Sequence, residues 1–119
     1  MTHQSSDAYV TGSADAGRQI AQLRHVLALV REMAEGPQPA SSDAMLDEDA
    51  RISSAYSDAY AIVRRRFDAL AAETAAWAAA GVRALLAAKE LGRPTAGAAR
   101  QLASDLDRAL RTLRNLVIH

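Results

Sequence analysis

Cysteine is absent from this 119-residue chain, which excludes disulfides, thiolate metal sites and cysteine nucleophiles and fits a reducing compartment. Aromatic residues are few, with one Phe, one Trp and three Tyr. A core built without them, and with 28 alanines, buries little area per residue, and burial stabilises by only about 25 cal/mol per Å². A short chain of this kind gains further burial by associating with another. Net charge is also missing: 14 basic and 14 acidic residues cancel. Without a long-range positive field, non-specific binding to nucleic acid or to an anionic membrane is not expected. Only one of the 14 basic residues is lysine, and thirteen arginines amid so much alanine suggest a GC-rich, bacterial genome.

The N-terminal MTHQSSDAYVTGSADAG has no basic start followed by an apolar run, so it does not read as a signal peptide, and a cytoplasmic location is expected. Residues 1–15 lack periodicity and read as a mobile tail. Residues 16–119 then form a single helical-bundle domain.

The periodic signal is helical throughout. From Ala16 to Glu35 the residues Ile20, Leu23, Leu27, Val30 and Ala34 recur at three- and four-residue steps, and Gly36-Pro37 closes the segment. After the linker GPQPASS, Ser42 or Asp43 can cap a second helix whose early turns carry Asp47, Glu48 and Asp49. No proline follows until Pro94. An apolar or small stripe through Ile52, Tyr56, Ala59, Val63, Phe67, Leu70, Thr74, Trp77, Gly81 and Leu85 keeps its phase. That pattern permits one long central helix over about 43–91, roughly 70 Å in length. A break near Arg64 to Asp68 would instead give four helices in an up-and-down bundle. Gly92-Arg93-Pro94 ends the segment, and Thr95 can cap a last helix with a stripe of Leu102, Leu106, Leu110, Leu113 and Leu116. The expected fold is therefore an all-α antiparallel bundle of three to four helices.

The stretch from Asp68 to Lys89 has almost no face suited to water. It is long enough to cross a bilayer, but Glu73 and Arg83 are expensive at membrane depth, so no membrane span is expected. A protein partner is the expected cover: a second copy forming a homodimer, or a helical partner. The row Ala69, Ala72, Ala76, Ala80, Ala84 and Ala87 allows close backbone approach, and Trp77 beside Gly81 resembles a knob next to a hole. Leu70, Trp77, Gly81 and Leu85 are the expected contact residues.

The chemistry-bearing candidates are few. In RNLVIH, Arg114 and His119 are separated by four residues, and this resembles the Arg-x4-6-His signature of HEPN nucleases, which are helical and usually dimeric. That resemblance covers six residues and implies RNA cleavage, with imidazole moving protons and guanidinium stabilising a phosphorane. His25 falls at the edge of the polar face of the first helix and invites comparison with histidine phosphotransfer bundles. It lacks the Lys-Gly that often follows the phosphorylated residue there, and reads as a boundary histidine. Arg64, Arg65 and Arg66 form the densest basic run and could touch phosphates, but no aromatic residues are interleaved to stack bases. Local pairing to Asp68 on a solvated face is the plainer expectation. Tyr56 and Tyr60 share a helical face and are expected to pack. No Glu-x-x-His pair, glycine-rich phosphate loop or nucleophile elbow occurs, so no metal or cofactor is expected. Together these features point to a non-catalytic interaction, adaptor or regulatory module.

Overall fold

The computed structural model describes residues 2–38 and 43–118, with side chains described from Ala16 onward. Four helices follow one another: α1 (Thr2–Glu35), α2 (Asp43–Asp58), α3 (Ala61–Glu90) and α4 (Ala96–Val117). No strand occurs among the described residues. The all-α bundle read from periodicity is what the chain forms. α1 starts ahead of the expected Ala16; the side chains of residues 2–15, where a tail was expected, lie outside the described residues.

The three longer helices each bury one stripe at three- and four-residue steps, with one step of seven on α3. Ala16, Ile20, Leu23, Leu27 and Val30 do so on α1, and Ala99, Ala103, Leu106, Leu110 and Leu113 on α4. Phe67, Ala71, Thr74, Ala78 and Leu85 do so on α3. This spacing keeps one seam facing the neighbouring helices over several turns, as in bundles packed at small crossing angles.

Side-chain pairs give the directions. Gly17 lies against Ser53, and Arg24 Nε donates to Asp49 Oδ1 at 2.5 Å, so α2 runs back along α1. Arg31 pairs with Asp107 at 3.7 Å, while Glu48, next to Asp49 on α2, accepts from Arg114, so α4 is antiparallel to α1. Gly81 lies against Leu102, and Leu70, Thr74 and Trp77 lie beside Arg108 and Thr112, so α4 is antiparallel to α3 as well. The order is up, down, up, down, and α1 and α3 are parallel.

The long central helix over 43–91 does not form. The chain turns at Ala59 and Tyr60, ahead of the Arg64–Asp68 position where a break was the alternative. Tyr60 adopts φ −63°, ψ 152°, an extended conformation open to any residue, so neither glycine nor proline is needed. The carbonyls freed at the turn are taken up locally. Ala59 N–H donates to Tyr56 O, Val63 and Arg64 N–H both donate to Tyr60 O, and the Arg64 guanidinium donates to Ala59 O at 2.6 Å. The gain is tertiary: the Tyr56 and Phe67 rings meet edge to face with centroids 5.2 Å apart, and the Tyr56 hydroxyl donates to Asp68 at 2.9 Å. In a straight helix these two rings would be about 16 Å apart along the axis.

Two expectations change with the turn. Tyr60 does not pack with Tyr56 but stands 81% exposed at the corner. Asp68 receives the Tyr56 hydroxyl, and Arg64 serves the turn, in place of an arginine–Asp68 pair.

The other helix ends follow the sequence more closely. Gly36 at φ 91° and Gly92 at φ 72° supply left-handed residues after α1 and α3, with Gly36 N–H returning to Glu32 O and Arg93 N–H to Ala88 O. Thr95 occupies the cap position of α4 without a side-chain cap bond.

Candidate docking groove between α1 and α3

α3 is the unusual element. Only 22% of its most apolar 18-residue window is buried, although the helix is long and apolar enough to cross a membrane by length and composition. The alanine row Ala69, Ala72, Ala76, Ala80, Ala84 and Ala87 faces outward along its whole length. Between Ala69 and Ala88 only Glu73 and Arg83 carry charge. An isolated bundle normally places polar side chains on such a face.

One edge of this face is shaped. Where α1 and α3 run side by side they enclose a groove of ≈ 900 Å³ to which no residue of α2 or α4 contributes. Leu23, Ala71 and Ala78, all buried in the bundle, form its floor. Val26 and Leu29 line the α1 wall; Ala72, Ala75, Ala79 and Val82 line the α3 wall. Leu29 is 44% exposed, and Leu86, one turn beyond Val82, is 49% exposed, so the apolar strip continues past the groove. The packing of α4 explains the opening: α4 packs against both helices from the other side, and α2, 16 residues long, packs mainly against α1 and leaves this side uncovered.

The rim is polar and of one sign. Among the described residues Arg18, His25 and Arg83 line it together with Gln19 and Gln22, and no carboxylate does. Gln19 Oε1 is buried without a hydrogen-bond partner among the described residues. An amide held that way costs roughly 1–3 kcal/mol unless its oxygen and nitrogen exchange places or a donor reaches it.

The residues expected to form an interface sit elsewhere. Leu85 is buried, and Leu70, Trp77 and Gly81 are half-buried on the side of α3 that meets α4. The hole at Gly81 is filled from within the chain: a Cβ there would stand 2.8 Å from Leu102 Cδ2 and 3.0 Å from Cδ1. Trp77 and Leu70 border a small hollow with Asp105, Arg108 and Thr112 of α4. The stripe expected to make contacts is the one α4 covers, and the groove residues lie on a neighbouring side of the same helix. The alanine row was the usable signal for the outward face.

The remaining candidates are dispersed. Arg114, the arginine of the RNLVIH segment, is paired to Glu48 and donates to Asn115 Oδ1, tying α4 to α2; His119 lies outside the described residues. Arg65 and Arg66 are exposed at the start of α3, away from Arg24, which is held by Asp49. His25 is exposed, as its helical phase suggests, and lies on the groove rim. Among the described residues no three His, Asp or Glu side chains converge to hold a metal ion. No protein-family model, curated protein or solved structure matches this chain.

Proposed function

We propose that this chain is a non-catalytic protein-interaction module that takes a helix of another chain into the α1–α3 groove. The observation that carries the reading is the outward face of α3, apolar over five turns and continuous with Val26 and Leu29 across a preformed channel. A groove lined by alanine on one wall lets a helix approach closely, and helix-in-groove recognition reads apolar anchors spaced along one face of the guest.

A protein suits this surface better than a bilayer does. Glu73 and Arg83 sit within the apolar stretch, and a charged side chain at membrane depth costs about 2.5–3.5 kcal/mol on insertion scales. At a protein interface both can stay at the wet rim. The absence of a long-range field fits a partner found through shape and local charge. On this reading the protein works in the cytoplasm as an adaptor or regulatory subunit.

Site-specific photo-cross-linking in producing cells tests the reading. A cross-linking residue at Ala79, in the groove, should capture a protein chain, whereas one at Arg108, on the exposed face of α4, should not. Equal yields at both positions, or none at Ala79, would refute it.

A further inference from the structure

We infer that the occupant of the α1–α3 groove is a helix of a separate protein, with large apolar anchors flanked by carboxylates, and not a second copy of this chain. This rests on the groove being a docking site and adds the chemistry of what docks.

Charge is the first argument. Arg18 lies eleven residues before Leu29 on α1, and Arg83 lies twelve residues after Ala71 on α3. Because the two helices are parallel, the arginines stand near opposite ends of the groove, with His25 between them on the α1 rim. Among the described residues no Asp or Glu lines the channel and Arg83 makes no ion pair. A guest carrying Asp or Glu beside its apolar ridge would meet the Arg83 guanidinium at one end of the channel and the exposed His25 ring along the α1 rim. Rim charges of this kind set orientation and partner choice more than total affinity.

The same rim argues against self-association. A two-fold dimer presents one patch to itself, so this face would set its basic rim, in which Arg83 is unpaired among the described residues, against the same rim. Like charges facing each other across an interface are a device for rejecting a partner.

Size is the second argument. The α3 wall offers only methyl groups at Ala72, Ala75 and Ala79, so the guest has to bring the volume. The channel follows about twelve residues of α3, or about 18 Å, which accommodates some three turns of helix. Leu, Met or Phe at i, i+4, i+7 and i+11 of the guest would fill it, whereas a second alanine-lined wall would leave it loosely packed.

Two synthetic 16-residue helical peptides test this with the full chain: a shared leucine ridge, flanked by Glu in one and by Lys in the other. Binding is read by fluorescence anisotropy between about 50 and about 300 mM salt, alongside the absolute mass of the protein alone. The Glu peptide should bind about tenfold tighter than the Lys peptide, with an advantage that shrinks as salt rises. R83E should narrow or reverse that preference. A79R should abolish binding of both peptides at an unchanged melting temperature, since Ala79 is exposed. Equal affinity for the two peptides would overturn the acidic guest while leaving the groove as a docking site. A dimer that A79R dissociates, in a protein that takes neither peptide, would overturn it in favour of a second copy. A monomer that binds neither peptide would overturn both this inference and the docking role.

Discussion

Gly81 offers the sharpest quantitative test of how α3 and α4 pack. Inside a helix, glycine is less favourable than alanine by about 1 kcal/mol, so Gly81→Ala would stabilise the protein if nothing stood in the way. Leu102 stands in the way: its two methyl carbons lie 2.8 and 3.0 Å from where the new Cβ would be. Carbon pairs rest at about 3.5–4.0 Å, and overpacking of a fitted site costs typically 1–3 kcal/mol. Leu102 is half-buried, so its side chain can rotate in part, and a cost of about 2 kcal/mol is the reasonable figure. The net change is then a loss of about 1 kcal/mol, a fall in Tm of roughly 4 °C for a domain of this size. In a Leu102→Ala background the obstruction is gone, and the same substitution should stabilise by about 1 kcal/mol. The sign thus reverses between backgrounds, a coupling of about 2 kcal/mol that thermal or urea denaturation of the four proteins measures directly. If Gly81→Ala raised stability equally in both backgrounds, the close approach of α3 to α4 at this point would be wrong. Gly81→Leu adds three further carbons to the same space and should cost more than about 3 kcal/mol.

Other expectations follow from the turn and the core. Tyr56→Phe removes a hydrogen bond to the Asp68 carboxylate that holds α2 to α3, and because Asp68 is half-exposed and can turn to water the loss should be about 1 kcal/mol by urea denaturation. No loss would mean that the ring contact with Phe67 holds the turn unaided. Leu113→Ala empties a fully buried site on α4 and should cost about 2–5 kcal/mol, a fall in Tm beyond that of any surface variant. Arg24 and Asp49 are each about one-fifth exposed, and a double-mutant cycle should give a coupling near 1 kcal/mol that weakens in high salt; zero coupling would make the α1–α2 pair incidental.

Much of the fold was legible because a helix reports its own buried face. The steps Ile20, Leu23, Leu27, Val30 and Leu106, Leu110, Leu113 name the seams of α1 and α4, and these are the residues that the bundle buries. Gly36 and Gly92 likewise announced the ends of α1 and α3, since a positive φ favours glycine for steric reasons alone.

The turn at Ala59 and Tyr60 left no such mark. Its backbone angles suit any residue, and the stripe from Ile52 to Phe67 stays in phase across it, so local propensity prefers a continuous helix. What decides for the turn is the meeting of Tyr56 with Phe67 and Asp68, side chains eleven and twelve residues apart that touch only after the chain has folded back. The groove has the same character. Periodicity identified α3 as a helix without a polar face, and its composition led to the expectation of a cover. Which side stays open depended on where α4 docks and how far α2 reaches, because packing among helices is set by all of their surfaces together. The sequence by itself thus determined three apolar stripes, the central one unbroken in phase, and a surplus of alanine on its outward side. Tertiary structure alone decided that Gly81 and Trp77 are spent on α4, while Val26, Leu29, Ala75, Ala79 and Val82 remain in the open channel.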